Sequence, residues 1–79
     1  MDIEVRLFAS AREVAGTETM KIALAEPARL EDLQGVLFER HPDLKALRLR
    51  FAINARYASG ETELRAGDEV AAIPPVGGG

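Results

Sequence analysis

Few residues of this sequence are equipped for chemistry. Among 79 residues there is no cysteine and a single histidine, His41. A thiolate nucleophile, a disulfide framework and a thiolate metal site are therefore excluded, and one imidazole makes a metal centre only where several carboxylates converge on it. No nucleophile, acid–base pair or ligand cluster stands at a spacing that would assemble a catalytic constellation. The conspicuous segment is AAIPPVGGG, residues 71–79. Glycine contributes no side chain to a core and has the widest φ/ψ range of any residue. A segment of this kind is either a frayed end or one shaped to enter another molecule. Pro74 and Pro75 stiffen its root and set the direction in which it leaves the preceding strand.

Three other features compete for a role. Lys45, Arg48, Arg50 and Arg56 lie in a stretch, 45–56, with no acid between them. Such a run is a solvated face or a contact for an acidic partner surface or a phosphate-bearing substrate. His41, beside Pro42, reads as a helix-end residue near the negative end of the helix dipole rather than as a ligand. Phe8 and Ile73 fall opposite the inward residues of their strands, where they form either an apolar docking patch or a second minor core.

The elements that position these residues follow from periodicity. Ile3, Val5 and Leu7 alternate with Glu4, Arg6 and Phe8, the period of a half-buried strand over residues 2–9. Ser10 and Glu13 match a capping box and Gly16 a stop, which predicts a short helix over Ala11–Ala15. Alternation resumes over 19–25 with Met20, Ile22 and Leu24 inward. From Leu30 the period lengthens: Leu30, Leu33 and Leu37 predict an amphipathic helix to about His41, ended by Pro42. Glu31 and Asp32 suit its first turn, whereas Ala28 or Arg29 is a poor cap and Gly35 costs about 1 kcal/mol relative to alanine. Leu44 and Leu47 are expected to pack from an irregular turn. Leu49–Asn54 and Tyr57–Ala58 read as strands around a tight turn at Asn54-Ala55, Gly67-Asp68 as a further turn, and Glu69–Pro74 as the last strand. The order is that of an α+β domain: a mixed four- to five-stranded sheet covered by one main helix, the β-grasp or ubiquitin-like architecture. The expected division is a domain over 1–74 and a flexible glycine-rich tail over 75–79.

A formal net charge of −3 argues against binding to a phosphate backbone, and 5% aromatic residues without tryptophan argue against base-stacking platforms. No signal segment is present, and no apolar run approaches the 18 or so residues of a membrane span. The expectation is a cytoplasmic protein with no nucleic-acid or membrane partner.

Over nearly its whole length the chain resembles the small, sulfur-carrying subunit of molybdopterin synthase. The resemblance stands on LFASAREVAG (7–16), FAINARYA (51–58) and GDEVAAIPPVGGG (67–79), the last being the most specific. Ala55 departs from the glycine common after the asparagine, and Arg29 from a threonine or serine cap.

The resemblance implies that Gly79 carries the working group, its α-carboxylate. A free carboxylate is unreactive toward nucleophiles, so a partner enzyme would activate it with ATP as an acyl-adenylate. Sulfide delivered to that acyl group would yield a thiocarboxylate. Its sulfur would pass to a cyclic pyranopterin inside a larger catalytic subunit, in an assembly of two small and two large subunits. The carrier would bind no cofactor itself and would not be an enzyme on its own. Pro75, Val76, Gly77, Gly78 and Gly79 would form an insertable tail, extended over about 17 Å, and Phe8 and Ile73 would meet the partners. The same tail also fits sulfur carriers for thiamine, cysteine or tRNA thiolation and ubiquitin-like modifiers joined to lysines. A binding module with an incidental tail stays open as a different class.

Overall fold

Alternation decides the first strand. In β1 (Asp2–Leu7) every second residue, Ile3, Val5 and Leu7, is buried, while Asp2, Glu4 and Arg6 are exposed. The structure, a computed structural model, describes residues 1–75. After β1 come α1 (Ala9–Ala15), β2 (Thr19–Ala23), β3 (Ala28–Arg29), α2 (Leu30–Arg40), a 3-10 helix (Pro42–Leu47), β4 (Arg50–Ile53), β5 (Arg56–Tyr57), β6 (Glu63–Leu64) and β7 (Glu69–Ile73). Five strands form one sheet in the order β2-β1-β7-β4-β5. The central pair, β1 and β7, is parallel, and the other pairings are antiparallel. A parallel pair needs a crossover, and the long route through α2 and the middle strands supplies it.

That crossover covers one face only. Leu30, Leu33 and Leu37 of α2 are fully buried and meet Ile3, Val5, Leu7, Ile22, Val70 and Ala72 of the sheet. Burying a leucine contributes roughly 1.5–3 kcal/mol, so this leucine stripe is a main source of the domain's stability. Phe38 closes the far end edge-on against Phe51, ring centroids 6.3 Å apart. The β-grasp architecture is therefore present, with five strands in the main sheet. Among the described residues, no element covers the opposite face of the sheet.

The outer edge of β2 is also uncovered but not bare. Met1 and Leu24 exchange both backbone hydrogen bonds, at 2.7 and 2.8 Å. The alternation of an antiparallel ladder then turns the backbone groups of Ala23, Lys21 and Thr19 outward. The Lys21 carbonyl accepts from the Arg40 guanidinium at 3.1 Å and the Thr19 carbonyl from the Thr17 hydroxyl at 2.8 Å. Side chains thus occupy acceptors that a free strand would otherwise find.

Several local expectations change. Ser10 does not cap α1: the helix begins at Ala9, with Phe8 in the N-cap position and no side-chain cap bond. The chain is still tied to the sheet there, because the Phe8 N–H donates to the Ala72 carbonyl at 3.2 Å, and so the turn starts before Ser10 can serve. Gly16 does end the helix, with φ 75°. At α2 the poor cap is offset from elsewhere. The Asp32 carboxylate accepts from the Arg29 N–H at 2.8 Å, and the Leu30 and Glu31 N–H groups donate to the Thr62 and Gly60 carbonyls, both at 2.9 Å. Leu44 packs from a 3-10 helix rather than an irregular turn, and Pro42 opens that helix. The small second sheet of β3 with β6 was not expected at all.

Candidate functional site: the open sheet face at the root of the tail

The uncovered face has a hollow at its centre, ≈ 330 Å³ in volume. Phe8, Ile73, Tyr57 and Ala55 wall it together with the Glu69 side chain, and Ala52 and Ala71 form its floor. Register explains the arrangement. Leu7 lies beside Ala72 and Ala71 opposite Ala52, while Ala52 is also opposite Tyr57. Phe8 therefore arrives next to Ile73 from β1, and Tyr57 stands from β5 at the end of the neighbouring Ala71–Ala52 row. Short alanines between longer side chains leave the concavity. Phe8 is 44% exposed and Tyr57 61%, an unusual state for large apolar side chains brought together on one surface.

Phe8 and Ile73 are thus brought together, as the alternation predicted. Tyr57, Ala52 and Ala71 were not singled out from the sequence. The signal for Tyr57 was present, an aromatic on a short strand beside a turn, but its meaning depended on which strand stood next to β4. Arg50 is opposite Ile73 on the side away from Phe8, and its guanidinium lies over the Tyr57 ring, 3.9 Å from the centroid. The rest of the basic stretch, Lys45, Arg48 and Arg56, is exposed.

The hollow adjoins the root of the tail. Ile73 is the last residue of β7; Pro74 is half-buried and Pro75 exposed. Val76, Gly77, Gly78 and Gly79 lie outside the described residues. His41 occupies the C-cap of α2, its N–H donating to the Leu37 carbonyl at 2.9 Å. Among the described residues no three His, Asp or Glu side chains come together to hold a metal ion, and no helix is long and apolar enough to cross a membrane.

A model of the ThiS family matches residues 5–79. The chain belongs to the ThiS family. Within it, the chain is similar to a molybdopterin synthase sulfur carrier subunit of Chlamydomonas reinhardtii, 40% identical with all of both chains covered. Among solved structures, SAMP1 from Haloferax volcanii superimposes with a TM-score of 0.90 at 30% identity, again over the whole of both chains. A chain in the complex of subunits 1 and 2 of molybdopterin-converting factor from Helicobacter pylori superimposes with a TM-score of 0.74 at 29% identity, with full coverage of each. The family's fold is the β-grasp described above, and these likenesses extend to the segment that follows β7.

Proposed function

We propose that this chain is the sulfur-carrier subunit of a molybdopterin synthase, and that the Gly79 α-carboxylate is its working group. One observation carries the reading: the exposed apolar hollow lies on the strand that leads into the glycine tail. A partner that covers Phe8, Ile73 and Tyr57 necessarily takes hold of the root of the tail. Docking and tail insertion then belong to one surface. The family match through residue 79 and the full-length likeness to a sulfur carrier subunit support it.

The chemistry requires nothing of the carrier's side chains. The carboxylate attacks the α-phosphorus of ATP in an adenylating enzyme, and pyrophosphate leaves. Sulfide (HS⁻) delivered by a donor attacks the acyl carbon, AMP leaves as the C–O bond breaks, and a thiocarboxylate remains. In the large subunit the thiocarboxylate sulfur bonds to a carbon of a cyclic pyranopterin, and water cleaves the acyl–sulfur bond, leaving the sulfur on the pterin and restoring the Gly79 carboxylate. The protein is a non-catalytic partner in these steps. Glycines at 77–79 suit a narrow channel because no Cβ meets its walls, and their φ/ψ freedom lets one tail fit two enzymes.

The likeness to SAMP1, the small archaeal modifier protein 1 of Haloferax volcanii, favours a second use of the same tail, attachment through Gly79 to lysines of other proteins. Both uses share adenylation and differ in the acceptor.

The docking face is tested with Phe8→Asp combined with Ile73→Asp. Binding to the cognate large subunit should be lost in calorimetry while the circular dichroism spectrum and melting stay near wild type. Unchanged affinity, or a double variant that unfolds, would contradict a docking role for the pair.

A further inference from the structure

The open face is polarised along its length, and this bears on what the partner must look like; the inference rests on the docking reading above. β1 and β7 run parallel and β4 runs against them. Register therefore places Arg50 beside Ile73, in the row where the tail departs, and Arg6 beside Ala71, in the middle row of the face. At the other end Glu4 stands beside Glu69, with Lys21 across from Glu4 on β2. In a chain of net charge −3, the two arginines of this face thus stand in the rows nearer the tail and its paired carboxylates in the row farthest from it.

We propose that Arg50, held over Tyr57 and assisted by Arg6, forms a cationic rim that docks against a carboxylate-bearing protein surface around the opening that receives the tail. The charges are exposed, so bulk solvent screens them until the partner arrives. Complementary rims of this sort act mainly on the rate and orientation of association rather than on final affinity. Orientation matters here because a tail at one end of an apolar patch enters its channel in only one of the rotations that the patch would tolerate. Tyr57 is the positioning residue. Stacking on its ring restricts a side chain that would otherwise lose rotamer entropy on being fixed by the partner. A protein carboxylate fits better than the phosphates of the activation step. An extended tail carries Gly79 about 14 Å away from Pro75, beyond the reach of an arginine at the tail's root. The rim therefore faces the mouth of the channel and not its reacting end.

The test uses the full chain and its cognate large subunit, with association followed by stopped flow or surface plasmon resonance at low and high salt. Wild type should associate more slowly as salt rises. Arg50→Met should associate about fivefold more slowly at low salt and should match wild type at high salt. Arg50→Glu should be slower still. Tyr57→Phe, which keeps the ring, should behave as wild type, whereas Tyr57→Leu should lose part of the salt dependence. Wild-type rates and salt dependence in both Arg50 variants would overturn the rim while leaving the docking face intact. So would an Arg50→Glu variant that docks normally and is slowed only in the ATP-dependent step, since the rim would then read phosphate. A wild-type chain with no affinity for the large subunit would overturn the docking reading and the rim together.

Discussion

The Asn54 side-chain amide donates to the Asp68 carboxylate at 2.8 Å, clasping the β4–β5 turn to the start of the strand that carries the tail. The same asparagine oxygen accepts from the Glu69 N–H at 3.0 Å, and the second Asp68 oxygen accepts from the Arg65 N–H at 2.8 Å. Two segments far apart in sequence are thereby fixed, and with them Tyr57 and Ile73 on either side of the hollow. Replacing Asp68 by alanine removes the acceptor for two of these bonds. Net contributions of about 0.5–1.5 kcal/mol per bond, reduced by exposure to water, predict a loss of about 1–2 kcal/mol in chemical denaturation. An unchanged midpoint would show that the clasp is an incidental surface contact.

The turn that Asn54 opens is strained. Asn54 and Ala55 have φ of 49° and 70°, both in the left-handed region, as a two-residue hairpin turn of this twist demands. Asparagine tolerates that region; alanine does so at a cost of about 1 kcal/mol. Ala55→Gly relieves the strain but adds freedom to the unfolded chain. The expected net gain is about 0.5 kcal/mol, visible as a rise of a few degrees in melting temperature. A fall in melting temperature would mean that the Cβ of Ala55 stabilises the hollow more than the turn strains it.

The guarded edge of β2 makes a different kind of prediction. Unpaired strand edges recruit other strands, and here Arg40 and Thr17 occupy the Lys21 and Thr19 carbonyls. Arg40→Ala combined with Thr17→Ala should leave the fold intact yet self-associate at lower concentration than wild type in sedimentation velocity. Equal behaviour of the two proteins would show that these side chains do not protect the edge.

The parts of the fold that sequence disclosed were those where one face is buried and the element is long enough to show its period. β1 announces itself because Ile3, Val5 and Leu7 have nowhere else to go, and α2 because Leu30, Leu33 and Leu37 repeat at helical spacing. β3 and β6, two residues each, are too short to display any period. The capping pattern at Ser10 was real as a pattern, but the chain's attachment to β7 at Phe8 fixed where the helix began. At the site, the alternation of β1 and β7 put Phe8 and Ile73 on the same face. Tyr57 and the alanine floor stayed hidden, and Arg50 stood out only as one member of a basic stretch, because their placement comes from β4 standing next to β7, a long-range pairing that no local pattern encodes.

The most direct measurement concerns Gly79 itself. The intact protein is incubated with its cognate adenylating enzyme, ATP and a sulfur donor, and its mass is recorded. The expected result is a gain equal to one oxygen-for-sulfur exchange, mapped by fragmentation to Gly79. Deleting Gly79, or appending one alanine after it, should abolish the change while leaving the melting temperature almost unaltered. Gly78→Ile should also block it, because a branched side chain obstructs a channel shaped for glycine. Conversion of the extended variant, or a wild-type protein that never acquires sulfur, would contradict carrier chemistry at this residue.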